Sequence, residues 1–171
     1  DAFLFEPRAA TQRRPSNERM RDFEGDMKFL GKNPDEGATF TYHLKAAAKN
    51  LSLKVTDQSG AVVREYSGDK VKGKTEAGIN SVVWDLRVEP LPPPPGQQQG
   101  GGGGGVFGGG SQGPYVRPGT YKVTLTVDGR ETGVSAFTVQ GDPEIQLADA
   151  DRRKLFETSM QLHQMHRKLN E

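Results

Sequence analysis

The chain has 171 residues, 33% of them hydrophobic, and its 22 glycines and 11 prolines are concentrated enough in one tract to dilute that fraction. Enough Val, Leu, Phe and Tyr remain elsewhere for one modest core, so one domain with appendages is expected. A formal net charge of +1 with mixed signs argues against a nucleic-acid or membrane-surface footprint, and the absence of cysteine excludes disulfides, thiolate zinc sites and a cysteine nucleophile.

In chain order, Asp1-Ala2-Phe3-Leu4-Phe5-Glu6 is a short apolar stretch ended by Pro7. It has no local partner and reads as the last strand of a preceding domain. Arg8 to Lys28 mixes arginines with Glu18, Asp22, Glu24 and Asp26, which reads as a solvated linker. Residues 1–30 are therefore expected to form an N-terminal arm. The cluster Gly31-Lys32-Asn33-Pro34-Asp35-Glu36-Gly37 is a turn that opens a domain over 31–141.

Inside that domain, period-two alternation predicts strands at Ala38–Leu44, Leu51–Thr56 and Ala61–Ser67, the last two joined by the turn Asp57-Gln58-Ser59-Gly60. Gly78–Arg87 holds the only tryptophan. Asn80, Val82, Trp84 and Leu86 share one parity, so Trp84 should face inward from a central strand and fill the gap between two sheets. Residues 88–118 form a low-complexity loop of prolines, glutamines and glycines that cannot build a core. Pro118-Gly119 starts another strand, with Tyr121, Val123, Leu125 and Val127 on one face. Asp128-Gly129 is a strong hairpin signal, and Glu131–Gln140 returns.

After Asp142-Pro143 the pattern turns helical. Leu155, Leu162 and Leu169 recur at helical spacing from about Asp149, within an appendage spanning 142–171. Asp149 and Asp151 suit the start of that helix and Arg167 and Lys168 its end. A leucine-bearing helix at the end of the chain calls for a partner helix, from this chain or another. Six strands without intervening helices predict a mainly-β, immunoglobulin-like antiparallel sandwich with an extended N-terminal arm, a long loop and a C-terminal helix.

Several motifs invite chemistry and lose it on inspection. Gly68-Asp69-Lys70-Val71-Lys72-Gly73-Lys74-Thr75 matches the P-loop pattern. A P-loop works because a helix follows it and aims free N–H groups at phosphates, and Glu76-Ala77-Gly78 leads into a strand instead. His163 and His166 lie three apart on the helix without an evident third metal ligand. His43 falls on the polar side of its strand. Asn50-Leu51-Ser52 is a glycosylation sequon by pattern alone. Trp84 as a sugar platform conflicts with its inward parity. No arrangement of Ser, His and Asp or of paired carboxylates forms a catalytic set, so no enzyme activity, cofactor or metal is expected.

The segments Gly31-Lys32-Asn33-Pro34, Gly37-Ala38, Gly78-Ile79-Asn80 through Val83-Trp84-Asp85-Leu86-Arg87, and Pro118-Gly119-Thr120-Tyr121 through Leu125-Thr126-Val127 stand in a telling order. Together they resemble the C-terminal FlgD-type immunoglobulin-like domain of bacterial sortilin-like propeller proteins, often labelled BNR-repeat glycosyl hydrolases. Phe3-Leu4-Phe5-Glu6-Pro7-Arg8 is similar to the point where those propellers end. The resemblance implies a secreted or periplasmic, non-catalytic module.

Function is then expected from protein contacts. One version is a structural subunit, extrinsic to a larger periplasmic or membrane-bound complex (secretion, envelope or photosynthetic). The other is an accessory domain that positions carbohydrate or peptide for a propeller glycosidase. The partner-binding residues expected are Phe107 and Tyr115 in the loop and Phe3 and Phe5 in the arm, because lone aromatics outside a core are typical anchors. No nucleic acid and no membrane span are expected. The start at Asp1 reads as a processed chain or a piece of a longer one.

Overall fold

A computed structural model describes residues 2–13, 36–91 and 112–170. In chain order the elements are β1 (Ala2–Leu4), β2 (Ala10–Thr11), β3 (Ala38–Leu44), β4 (Leu51–Thr56), β5 (Val62–Ser67), β6 (Gly78–Trp84), β7 (Gly119–Val127), β8 (Arg130–Gln140) and α1 (Asp149–Asn170). The strands form two sheets, β1-β3-β6 and β2-β8-β7-β4-β5. All pairings are antiparallel except β2 beside β8. This is the mainly-β sandwich the alternation predicts, with one C-terminal helix.

The turns follow from their residues. Asp128 (φ 48°) and Gly129 (φ 81°) both take the left-handed conformation of the tight hairpin between β7 and β8. Between β4 and β5, the Asp57 carboxylate accepts from the Ser59 and Ala61 amides at 2.9 and 3.0 Å and from the Ser59 hydroxyl at 2.6 Å. The Ser59 hydroxyl is the chief reason the Asp57 carboxyl lies below its usual pKa, and this acid is spent on a turn.

Inward residues meet as alternation requires. Phe40, Tyr42, Val82 and Trp84 of the three-stranded sheet face Leu53, Val55, Tyr121, Val123, Leu125, Phe137 and Val139 of the other, all buried. Trp84 lies edge-on to Tyr121 and Phe137 across the gap, at 5.5 and 6.0 Å, and is stacked with Phe40 at 6.5 Å. Its Nε1 donates to the Arg87 carbonyl at 2.8 Å.

Three expectations are corrected. First, the N-terminal stretch is not left over from another domain: Phe3 pairs with His43 in β3, and Ala10 pairs with Val139 in β8. Its partners lie far along the chain, beyond the reach of local pattern. Leu4 approaches β8 so closely that a Cβ on Gly133 would sit 2.8 Å from the Leu4 Cβ. Second, among the described residues β6 is an edge strand, paired with β3 alone. Its apolar character comes from facing the other sheet, and the Tyr66 hydroxyl of β5 donates to the Val83 carbonyl on its open side at 3.3 Å. Third, that strand ends at Trp84 rather than Arg87, because Leu86 turns into the left-handed region at φ 57°. The turn cluster 31–35 and the loop centre 92–111 lie outside the described residues.

Each of the three buried tyrosines gives its hydroxyl proton to a backbone carbonyl: Tyr42 to Lys74 (2.7 Å), Tyr66 to Val83, and Tyr121 to Arg117 (2.6 Å). Tyr121 thereby forms the corner bond, four residues upstream, that recurs in immunoglobulin-like sandwiches. Burial pushes all three phenols up to about 12 from 10.0. A pKa raised in the folded state means stability is intact below pH 10 and is lost as pH rises toward 12. Melting followed from pH 8 to 12 should show a constant midpoint to pH 10 and a steep decline above it. Phenolate absorbance of three of the four tyrosines should appear together with unfolding. Ordinary titration of all four near pH 10 with the fold intact would contradict this.

Candidate interaction surfaces

The outer face of the three-stranded sheet carries one candidate surface. Strand register places Phe3 opposite His43 and His43 opposite Ile79, so the three form a row across β1, β3 and β6. Phe5 joins it just past the end of β1, its amide donating to the Thr41 carbonyl at 3.0 Å. The Phe3 and Phe5 rings meet edge to face at 5.0 Å. Ile79 is 73% exposed, Phe3 59% and Phe5 40%. These are large apolar groups on rigid backbone, and none of the described residues covers them. Phe3 and Phe5 are thus brought together as a pair, on the sandwich rather than on an arm. Ile79 and His43 join them only through register, although the outward parity of both was legible.

The stem of the long loop carries the expected Tyr115. Arg87 and Tyr115 form an isolated bridge, flanked by Val88 N–H to Pro114 O (3.0 Å) and Val116 N–H to Leu86 O (2.9 Å). The Arg87 guanidinium lies 3.7 Å above the Tyr115 ring centroid and donates to the Gly113 carbonyl at 3.0 Å. A Cβ on Gly113 would sit 2.3 Å from the Val88 carbonyl oxygen, so this crossing needs glycine. One face of the Tyr115 ring is therefore occupied and the residue is 39% exposed; it clamps the loop ends, a role the sequence did not suggest. Phe107 lies outside the described residues.

The helix supplies the third surface. α1 docks through Phe156 and Met160, both packed on the core cluster. Arg152 secures its start by donating to the carbonyls of Leu147 (3.1 Å) and Ile145 (2.8 Å). His163 Nε2 lies 3.2 Å from the Glu89 carbonyl, to which it donates. Partial burial is the chief cause that holds His163 below its usual pKa. The docking face is thus offset from Leu155, Leu162, Met165 and Leu169, which stay 61 to 84% exposed. Sequence reasoning found the leucines and missed Phe156 and Met160, whose spacing of four was the available signal.

Glu89 ties these parts together. Its amide donates to Val63 O (2.9 Å) and its carboxylate accepts from the Glu65 amide (3.2 Å), covering the free edge of β5. The carboxylate also pairs with Lys70 and lies 3.9 Å from Arg64 Nε, a buried atom with no hydrogen bond among the described residues. Lys70 belongs to the P-loop-like run, which forms a 3-10 turn over Gly68–Val71 and no α-helix before β6. That lysine is engaged with Glu89 and the Glu65 carbonyl. Among the described residues no group of three His, Cys, Asp or Glu could hold a metal, and no helix is long and apolar enough to cross a membrane.

No family profile matches the chain, and no curated protein matches it in sequence. Among solved structures it is similar to CopC from Methylosinus trichosporium OB3b, at 12% identity and a TM-score of 0.38, over 85% of this chain and 100% of that one. A likeness that loose carries no argument about this chain.

Replacing Glu89 with Ala should cost about 1–2 kcal/mol, because the Arg64 guanidinium loses its nearest anion and the Glu65 amide its acceptor. Urea unfolding checks the cost, and amide exchange in α1 should speed up as the Glu89 backbone loosens. An unchanged midpoint with unchanged exchange would show that Glu89 is not the tie described.

Proposed function

We propose that this chain is a non-catalytic protein-interaction module, a rigid immunoglobulin-like scaffold acting outside the cytoplasm. One observation carries the reading: Phe3, Phe5 and Ile79 stand together and exposed on a sheet face. Solvent-exposed apolar groups gathered on fixed backbone mark surfaces that another protein covers. The finer reading is a small extrinsic subunit that stabilises a periplasmic or membrane-bound assembly. The lack of cysteine does not fix the compartment and is compatible with this reading. The resemblance to FlgD-type domains supports it, since the segments that carry it include β6 and β7, whose Trp84 and Tyr121 build the core.

The alternative, an accessory domain positioning carbohydrate, loses its tryptophan. Trp84 is 0% exposed, so no sugar ring can stack on it in the folded chain.

The test is the double variant Phe3→Ser/Ile79→Ser, expressed in the cells that make the protein and compared with the unchanged chain by in-cell cross-linking. Both side chains are exposed, so the melting midpoint should move little while the yield of cross-linked protein adducts falls about tenfold, the loss expected of two interface anchors. Adducts unchanged in identity and yield would overturn the reading.

A further inference from the structure

The stripe on α1 has a geometry of its own. Leu155, Leu162 and Leu169 recur every seven residues and Met165 lies three beyond Leu162, all exposed on a helix already docked through another side. Seven residues fall about 20° short of closing two helical turns, so the three leucines form one nearly straight line roughly 21 Å long, with Met165 about 60° to one side. Leu155, Leu162 and Leu169 with Met165 make a narrow seam, the width another helix covers, in which the positions matching Met165 one and two heptads earlier are Thr158 and Asp151. A helix that lies in a lipid interface instead buries a broad apolar face.

The flanks say which helix. The rows beside the seam hold Lys154, Gln161 and Lys168 on one side and Ser159 and His166 on the other, with no carboxylate among them. The helix's first-turn acids are Asp149 and Asp151; the helix dipole accounts for both, and Asp151, four before Leu155, stands at the N-terminal end of the seam line. Beside Leu155 the seam opens on a cleft of about 300 Å³ whose charged lining residues are Arg87, Arg117 and Arg152. A second copy in parallel would set Lys154 against Ser159 and Gln161 against His166, which forms no ion pair.

The geometry points to a docking seam for a partner α-helix whose own apolar stripe is flanked by Asp or Glu. This extends the interaction-module reading to a second surface, about which the sheet face says nothing. The seam is pre-organised: Phe156, Met160 and the His163–Glu89 bond hold the helix in place, so docking does not have to nucleate it. Partner carboxylates would meet Lys154 and Lys168 along the flank and Arg117 at the cleft.

The experiment uses the full chain and two labelled three-heptad peptides, identical in their leucine seams, one with Glu and the other with Lys at every flanking position. Fluorescence anisotropy should show saturable binding of the Glu peptide, at least about tenfold tighter than the Lys peptide and weakened by salt. The variant Leu162→Glu, at an exposed position, should abolish that binding and leave circular dichroism and melting unchanged. Absence of binding, or equal binding of both peptides, overturns the proposal. So does sedimentation showing a dimer that Leu162→Glu dissociates, since the occupant is then a second copy, or displacement of the Glu peptide by anionic phospholipid vesicles. Phe3 and Ile79 are on a different face, so loss of this binding and loss of cross-linked adducts are separable results.

Discussion

The indole of Trp84 is the point on which the rest depends. Buried completely, it spans the gap between the sheets and touches aromatic rings of both. An indole N–H cannot be left unpaired there, and the Arg87 carbonyl satisfies it. To return that carbonyl the chain must reverse just after the strand, which it does at Leu86 with a left-handed backbone that costs about 1 kcal/mol. Gly37 passes so close to the Trp84 carbonyl that a Cβ would lie 2.0 Å from it, so the start of β3 is adapted to the same residue. The reversal also turns the Arg87 side chain onto Tyr115, and the loop ends close there.

A core organised this way leaves surface aromatics and leucines free of structural duty. The tyrosines hold carbonyls, Asp57 a turn, Lys70 and Glu89 a sheet edge. Lys70 of the P-loop-like run is thus committed to the fold. Among the described residues, Phe3, Phe5 and Ile79, and the seam on α1, show no such commitment. These two surfaces, of different character, are what the proposed scaffold reading rests on.

Much of the sandwich was legible because alternation reports burial directly: every buried residue of β3, β4 and β7 falls on the parity read from the sequence. What was illegible depended on pairing over distance. β1 and β2 carry no local sign that they join β3 and β8, and β6 reads as central because burial by the opposite sheet imitates burial between two neighbours. The aromatic pair was visible as residue types, and its neighbours Ile79 and His43 needed the register. On the helix, leucines outweigh Phe156 and Met160 in any periodicity count, yet only the latter pair finds the core. Tyr115 was visible as an aromatic and its clamp was not, because Arg87 lies across the loop.

The chain's single tryptophan makes the central claim directly measurable. Tryptophan emission and its quenching by iodide should be recorded on the full chain in native buffer and through a urea titration. With Trp84 between the sheets, native emission is blue-shifted and insensitive to iodide, and both properties are lost together in one cooperative step as the sandwich unfolds. Red-shifted, readily quenched emission from the native chain would place the indole at the surface, remove the keystone of the core, and return carbohydrate stacking to consideration.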